Sequence, residues 1–373
     1  MSKPRVLFVG DTDEGLPEFE SFATKFECVK YTLTTKEQLI ADLDSKFGDI
    51  VGVYGGWLGF GPIRGLWKDV IPHFPASLKI ITLCSAGHDG YDMEALREKG
   101  ITLCNSPTFG AEQVADTALF LTLHSFRLYN FYETALKGHG HTFESRKGIE
   151  ESLLNPVTGR LEPNPEAKAK SEHKIMPNYA FGQLLGSHLS ILTPQGRNAV
   201  IVGLGSIGSR IAKRLNVIGM NIHYVKRTPL TKDQQAALGF EATFHQSLEE
   251  AAPLADVVIF AIPGTPETAK MFCKKVIDLM PSKSRVINVG RGSIVDDGDL
   301  LEGMRSGKII FAGLDVFYNE PLTNPEIAAR DDVVLIPHIA SSTVEVYDAT
   351  ARFCLKNLEN VLAHGEKPQN AVN

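Results

Sequence analysis

Charged side chains follow three apolar runs in the second half of the 373-residue chain. Arg291 comes directly after SRVINVG, Asp315 and Glu320 follow IIFAGL, and His338 ends DVVLIPH. A charge next to a buried strand is costly unless it serves a purpose. Ligands of open parallel sheets bind outside the carboxyl ends of the strands, so these residues form a candidate site. A guanidinium, carboxylates and an imidazole are groups that bind anions and move protons.

A glycine-rich turn comes earlier, between an apolar run and an amphipathic helical pattern. The stretch VGLGSIG carries Gly203, Gly205 and Gly208 in GxGxxG spacing, with Ser206 and Ile207 opening the helix. In dinucleotide-binding folds one glycine makes the turn, one lets backbone N–H groups approach the pyrophosphate, and one allows close helix packing. The helix N-terminus favours the phosphate charge. The strand–turn–helix context argues against the alternative, a merely tight turn.

The run after this turn ends on Lys226, where a carboxylate usually holds the ribose hydroxyls. The first acidic residue beyond it is Asp233, after a proline. A carboxylate would repel a 2′-phosphate, whereas Arg227 can bind one bidentately, with Lys226 and Thr228 adding to the contact. The stretch predicts NADP(H) as the preferred cofactor, with NAD(H) possible. The alternative is a pair of solvated surface cations.

Two series of short β-branched runs alternate with helical patterns and predict two α/β domains. The second series, from NAVIVG onward, suits a doubly wound nucleotide-binding sheet. A helical pattern from about 345 is expected to return to the first domain. The predicted domains are therefore residues 1–110 with 345–373, and residues 111–344.

Two further segments are distinctive. The apolar segment 111–137 has a helical pattern and, as one helix of roughly 27 residues, would be about 40 Å long. It would bridge the domains, form a subunit interface, or serve as a core helix of the second domain.

Residues 142–195 are polar, contain several prolines and show no sustained period. Such a long irregular excursion is a surface loop or, alternatively, a lid or subunit-exchanged arm.

Composition excludes several classes of protein. A net charge of -6 argues against a general nucleic-acid binder. No apolar run approaches the roughly 18–20 residues of a membrane helix, and the N-terminus lacks the pattern of a secretion signal. The five cysteines are scattered without metal-like spacing, so no metal site is expected. We expect a soluble, cytoplasmic protein.

The chain resembles the D-isomer-specific 2-hydroxyacid dehydrogenases. The glycine turn, the Arg-Gly after a strand, DVF…EP and PHI occur in the family's order, as do SAGHDGYDMEAL and NSPTFGAEQVADTAL in the first domain. The resemblance covers nearly the whole chain apart from residues 142–195. It is strongest to the fungal-type branch, which is similar to mandelate-like and glyoxylate/hydroxypyruvate reductases. It implies two Rossmann-like domains: a flavodoxin-like substrate domain and a doubly wound, parallel-sheet dinucleotide-binding domain.

The resemblance also implies roles for individual residues in reducing small 2-oxo acids to D-2-hydroxy acids. His338 would be the general acid/base, Glu320 its partner, and Arg291 the group that binds the substrate carboxylate and carbonyl. Backbone N–H groups at Ala86 and Gly87 would bind the same carboxylate. The implied cofactor-binding residues are Gly203, Gly205, Ser206, Ile207, Gly208, Lys226, Arg227, Thr228, Pro263, Val289, Gly290, Asp315, His338 and Ala340.

Within that set, Asp315 would hold the nicotinamide carboxamide, and Pro263 would lie near the adenine or its ribose. Trp57 either contacts the substrate side chain or packs at the surface. His88 and Asp89 are expected to be structural. A homodimer through residues 111–137 is the implied assembly.

The same fold also occurs with two other functions. Formate oxidation is disfavoured because that chemistry uses glutamine where Glu320 stands. The second is a nucleotide-sensing interaction protein of the corepressor type, which keeps the fold and the site with little turnover. The complete set of Arg291, Glu320 and His338 favours catalysis.

Overall fold

The computed structural model describes residues 2–107, 109–164, 166, 179–186 and 188–373. The chain forms two compact units. The first consists of Met1–Gly110 and Ser342–Asn373, and the second of Ala111–Ser341. In the described ranges no helix is long and apolar enough to cross a membrane.

The first unit is a five-stranded parallel sheet with helices packed on it. Its strands are Arg5–Val9 (β1), Glu27–Tyr31 (β2), Ile50–Gly55 (β3), Ile80–Leu83 (β4) and Thr102–Asn105 (β5). They lie in the order β2-β1-β3-β4-β5, which is the flavodoxin-like order. The helices are Pro17–Lys25 (α1), Lys36–Ser45 (α2), Met93–Glu98 (α3) and the late helix Val344–His364 (α13 in chain order), with 3-10 turns at Gly61–Ile63 and Ile71–His73.

Helix α13 covers one face of this sheet, beside α1. Its buried residues Cys354, Leu355 and Leu358 share a core cluster with Phe8 and Tyr54. The helix packs so close to β3 that a Cβ at Gly52 would lie 2.9 Å from Leu358. The central strands β1, β3 and β4 are buried on both faces, which explains why they read as apolar runs rather than as alternating ones.

The second unit is a seven-stranded parallel sheet in the order β12-β11-β10-β13-β14-β15-β16. From β10 the chain adds β11 and β12 on one side, and then β13 to β16 on the other side, so the strand order reverses at β10. Doubly wound dinucleotide-binding folds have the same reversal. The predicted fold class is therefore confirmed for both units.

The strands of this sheet are Asn198–Val202 (β10), Asn221–Val225 (β11), Ala242–His245 (β12), Val257–Phe260 (β13), Ser284–Asn288 (β14), Ile309–Leu314 (β15) and Val333–Leu335 (β16). The helices are Ser206–Val217 (α7), Lys232–Leu238 (α8), Leu248–Ala251 (α9), Lys274–Leu279 (α10), Asp297–Arg305 (α11) and Pro325–Ala328 (α12), with 3-10 turns at Ala252–Leu254 and Gly292–Ile294.

The apolar segment at the start of this unit is two helices, so the single long helix is wrong. Helix α4 (Ala111–Arg127) and helix α5 (Tyr129–His139) meet at Leu128, whose φ is 50°. The buried Arg285 of β14 donates from Nε to Ser125 O at 2.9 Å and so binds a carbonyl of the last turn of α4. Helix α4 packs on α7, β14 and β15 and is a core helix of this unit. The subunit interface stays a prediction.

The excursion contains more regular structure than its sequence indicates. It holds helix α6 (Thr142–Glu150) and two small antiparallel pairs, Ser152–Leu154 (β6) with Leu161–Pro163 (β7), and Leu184–Leu185 (β8) with Leu189–Ser190 (β9). Helix α6 packs against α5. Residues 167–178 of the excursion lie outside the described residues.

A buried ion pair fastens the β6–β7 hairpin to the sheet. Arg330 and Asp332, which are 5% and 3% exposed, form a bidentate pair with both N–O distances at 2.8 Å. The same guanidinium donates to Val157 O at 2.9 Å and to Pro156 O at 3.1 Å, in the loop between β6 and β7. The cation therefore holds the loop only while Asp332 balances its charge.

Replacing Asp332 with asparagine should destabilise the hairpin by about 3–5 kcal/mol, because it leaves a buried cation without its counterion. The free energy of opening of residues 152–163, measured by hydrogen exchange, checks this. Asp331→Asn is the matched control, since it makes the same charge change on an exposed neighbour, and should stay within about 0.5 kcal/mol of the parent. Equal effects from the two variants would contradict the anchoring role.

Candidate active site

The three glycines of the turn after β10 differ in how much space a side chain would have. Gly203 has φ +92°, and a Cβ there would lie 2.7 Å from Ala261 O. A Cβ at Gly208 would overlap the carbonyl oxygen of Gly203, so the helix lies directly on the turn. At Gly205 a Cβ would meet nothing within 4 Å. The middle glycine thus leaves its backbone open, which fits a dinucleotide pyrophosphate.

Helix α7 begins at this turn. Gly205 occupies the N-cap and supplies no side-chain hydrogen bond to the first N–H groups of the helix. Ser206 and Ile207 form its first turn, as predicted from the sequence. The N-terminus of a twelve-residue helix therefore points its partial positive charge toward the open side of the turn. These residues fit the phosphates of a nicotinamide dinucleotide.

The basic stretch lies beside the turn. Lys226 directly follows β11, whose last residue, Val225, accepts a 2.9 Å hydrogen bond from Gly203 N. Arg227 and Thr228 are exposed. Among the residues that the structure describes, no carboxylate forms an ion pair with Lys226 or Arg227 within 4 Å.

The loop after β13 contributes the remaining groups near Arg227. Glu267 is exposed, and its carboxyl pKa is lowered by a hydrogen bond with Thr265, by its backbone and by the charge of Arg227. Pro263, in the same loop, is exposed, and its carbonyl accepts a 2.9 Å bond from Thr268 Oγ1. The charge of Arg227 therefore acts on a carboxylate of the loop after β13, that of Glu267.

His338 and Glu320 form a hydrogen-bonded pair. His338 Nδ1 lies 2.9 Å from Glu320 Oε2, and Glu320 Oε1 accepts from Phe317 N at 2.9 Å. The bond to Glu320 raises the pKa of His338 above its usual 6.5, although burial opposes the shift. Burial raises the pKa of Glu320, but the bonds from His338 and Phe317 outweigh it and the net shift is downward. His338 Nε2 has no hydrogen-bond partner among the described residues.

Asp315 holds the backbone on which His338 sits. Its carboxylate is 2% exposed and accepts from Ile339 N at 2.9 Å and from Ala340 N at 3.2 Å. The Asp315 carbonyl accepts from His338 N at 2.8 Å, and His338 has φ 53°. Burial raises the pKa of Asp315, and the two backbone bonds lower it in part. The structure thus gives Asp315 a positioning contact, and its contact with the nicotinamide stays a prediction.

Arg291 emerges from the neighbouring strand end. Its Nη1 donates to Gly290 O at 2.8 Å. Its positive charge lowers the pKa of both His338 and Glu320, so the three charged groups interact. The ends of β14 and β15 and the segment after β16 therefore bring Arg291, Glu320 and His338 together, as predicted from their positions after the strands.

Asn288, which sequence reasoning missed, fixes the turn that carries Arg291. It is fully buried; its Nδ2 donates to Arg291 O at 2.8 Å, and its Oδ1 accepts from Gly290 N at 3.0 Å. The available signal was one amide in the otherwise apolar end of SRVINVG. Val289 and Ala340 are almost fully buried, at 7% and 6% exposed.

The predicted substrate residues of the first unit lie in loops. Ala86 and Gly87 follow β4, and Ser85 Oγ donates to Gly87 O at 2.9 Å. Trp57 is half-buried, and its Nε1 donates to Thr350 Oγ1 at 3.1 Å, which agrees with the packing alternative. Substrate contacts for these three residues stay predictions. In the described part of the chain no group of three or more His, Cys, Asp or Glu side chains is placed to hold a metal.

Comparisons with known proteins agree with this geometry. Residues 173–340 match the model of the D-isomer specific 2-hydroxyacid dehydrogenase NAD-binding domain. The chain is 31% identical over 395 residues to a Saccharomyces cerevisiae protein that bears the name of a 2-hydroxyacid dehydrogenase, covering 100% of this chain and 97% of the relative. The chain belongs to the D-isomer-specific 2-hydroxyacid dehydrogenases.

Two solved structures are similar over the whole chain. The holo form of D-mandelate dehydrogenase from Rhodotorula graminis has a TM-score of 0.84 and 28% identity, covering 100% of this chain and 98% of that one. The NADPH-dependent glyoxylate/hydroxypyruvate reductase of Sinorhizobium meliloti, solved with NADP and malonate, has a TM-score of 0.75 and 29% identity, covering 100% and 97%. The resemblance inferred from the motifs is confirmed. The chain is an oxidoreductase of this family and uses a nicotinamide cofactor.

Glu320→Gln should lower the pKa of His338, because glutamine keeps the size of the side chain but removes the charge that favours the imidazolium. NMR titration of the His338 ring measures the shift. Glu326→Gln, on the exposed helix α12, is the control and should leave the titration unchanged. A His338 pKa that is the same in all three proteins would show that the pairing has no electrostatic effect.

Proposed function

We propose that this protein is an NADPH-preferring reductase that converts small 2-oxo acids into D-2-hydroxy acids. The observation that carries the proposal is the grouping of Arg291, Glu320 and His338 at the strand ends of the nucleotide-binding unit. The similarity to a glyoxylate/hydroxypyruvate reductase solved with NADP and malonate supports the same reaction class.

The cofactor, when bound, supplies the hydride for the substrate's carbonyl carbon. Gly203, Gly205 and Gly208 would hold its pyrophosphate against the N-terminus of α7. Lys226, Arg227 and Thr228 would bind a 2′-phosphate, since the end of β11 presents cations where a carboxylate would exclude that group.

His338 is the proton donor in this proposal. The bond to Glu320 raises the pKa of His338 and so favours the protonated ring, and Nε2 is the nitrogen left for the substrate, because Nδ1 is bonded to Glu320. As charge develops on the carbonyl oxygen, Nε2–H donates its proton and the product hydroxyl forms. Glu320 stabilises the imidazolium before the transfer and holds the ring in one orientation.

Arg291 binds the anionic part of the substrate. Its guanidinium can form charge-assisted bonds to a carboxylate and polarise the adjacent carbonyl, which stabilises negative charge on the oxygen. Its charge also opposes protonation of His338, so the raised pKa of that ring depends on Glu320 outweighing Arg291. Arg291 therefore binds the acid, and together with Glu320 it sets the proton affinity of His338.

Oxidation of NADPH by the purified protein should occur with one or more of glyoxylate, hydroxypyruvate, branched 2-oxo acids and phenylglyoxylate. His338→Ala should lower kcat by about 10²–10⁴-fold, because the general acid is lost. The Kd for NADPH should stay within about threefold. Absorbance at 340 nm follows turnover, and fluorescence titration measures the Kd. No turnover of any acid by the parent protein would refute the enzyme and favour the corepressor-type alternative.

Arg227→Ala should raise the KM for NADPH by about tenfold to a hundredfold, which corresponds to loss of one charged contact of roughly 1.5–3 kcal/mol. The KM for NADH should change by less than about threefold, because NADH lacks the 2′-phosphate. Lys213→Ala, an exposed cation on α7, is the control and should leave both values unchanged. Parent activity with NADH that equals or exceeds activity with NADPH would overturn the preference.

A further inference from the structure

The turn after β4 is held by an asparagine of the next strand. Asn105, the last residue of β5, is 8% exposed, and its Nδ2 donates to Ala86 O at 2.6 Å. The same nitrogen lies 3.2 Å from His88 Nδ1. Ser106 N also donates to Ser85 O at 3.0 Å. Asn105 therefore contacts the turn at residues 86 and 88, on either side of Gly87.

A second asparagine fixes the first. Asn370 Nδ2 donates to Asn105 Oδ1 at 2.6 Å and to Asn105 O at 3.0 Å. Both amides have only one consistent orientation. Each Nδ2 faces a backbone carbonyl, which can only accept, so each nitrogen must be the donor. The two side chains therefore form a directed chain of hydrogen bonds, here called the relay: Asn370 donates to Asn105, and Asn105 donates to the carbonyl of Ala86.

The segment that carries Asn370 is itself tied down. Residues 369–373 run along the free edge of β5, with an antiparallel bridge between Cys104 and Ala371. Gln369 exchanges two 2.9 Å bonds with the side chain of Asn357 on α13. Asn373 accepts from Leu103 N at 2.8 Å and donates to Ile101 O at 2.7 Å. Asn370 adopts φ 57°, a left-handed conformation that asparagine tolerates.

We infer that Asn370 is a positioning residue for substrate binding, acting through Asn105 on the turn of residues 85–88. The inference rests on the proposed function and on the contact that the resemblance implies between the substrate carboxylate and the backbone N–H groups of Ala86 and Gly87. Those N–H groups bind an anion only if the peptide planes keep their orientation. The bond from Asn105 to Ala86 O fixes the plane between residues 86 and 87, and the bond from Asn370 to Asn105 Oδ1 stabilises the orientation in which Nδ2 faces that carbonyl.

The test uses Asn370→Asp, which keeps the size and tolerates the left-handed backbone but replaces a donor with an anion. Two Asn105 oxygens would then face the carboxylate. To relieve this, the Asn105 amide turns over, gives its NH₂ to residue 370 and presents Oδ1 to Ala86 O, where no hydrogen bond can form. Asn370→Gly removes the side chain and permits the same φ. Asn373→Ala is the matched control, since it removes two hydrogen bonds from the same segment without touching Asn105.

Asn370→Asp should raise the KM for the 2-oxo acid about tenfold, with kcat within about threefold and the Kd for NADPH unchanged. Hydrogen exchange of a peptide covering residues 85–91 should become faster. Asn370→Gly should give a smaller change of the same kind. Asn373→Ala should lower the thermal midpoint of the protein without changing the KM.

Unchanged exchange at residues 85–91 in Asn370→Asp would overturn the relay, whatever the activity. Faster exchange with an unchanged KM would overturn its role in substrate binding. A KM effect in Asn373→Ala equal to that of Asn370→Asp would mean that the segment acts only through stability, which also overturns the inference. A parent protein without turnover would refute the proposed function alone, because exchange still decides whether the relay exists.

Discussion

The geometry of the site depends on the hydrogen bonds that the buried Asp315 accepts. Asp315 follows β15, and its carboxylate accepts hydrogen bonds from the N–H groups of Ile339 and Ala340. Its backbone carbonyl accepts a hydrogen bond from the N–H of His338. These bonds join two neighbouring strand ends and hold His338 in a left-handed conformation that a histidine seldom adopts. With the backbone in this conformation, the His338 ring is bonded to Glu320, which comes from the loop after Asp315.

Two ion pairs in the second unit show how burial changes what a pair of charges does. Arg330 and Asp332 are almost completely buried, both are bidentate, and the pair holds a loop in place. The His338 and Glu320 side chains remain 51% and 37% exposed, so water can reach the ring and a proton can be exchanged. A fully buried imidazole would favour its neutral form. The partial exposure of His338 is therefore consistent with a group that titrates.

The parts that could be predicted from the sequence are those with short-range patterns. The glycine turn follows from three residues within six positions. Arg291, Asp315, Glu320 and His338 follow from the charged residues after three apolar runs, because parallel strands end at a common edge. The break at Leu128 could not be predicted, since a leucine in an apolar helical pattern carries no stop signal and the bond from Arg285 comes from a strand far along the chain. Asn288, Asn105 and Asn370 were missed for the same reason. Each is a single amide whose importance depends on which carbonyl the fold places opposite it.

The topology of the second sheet also separates the basic residues after β11 from the His338–Glu320 pair. Lys226 and Arg227 follow β11, and Glu320 follows β15, with β10, β13 and β14 between these strands. Four inter-strand spacings of about 4.8 Å put the two strand ends roughly 19 Å apart. At physiological salt the screening length is about 8 Å, so exposed charges at one strand end have little effect at the other. Arg291 lies on β14's end, within reach of His338, and it is the cation that opposes the raised pKa of that ring. A change in the basic residues after β11 is therefore expected to leave the titration of His338 unaltered, whereas a change at Arg291 is expected to shift it.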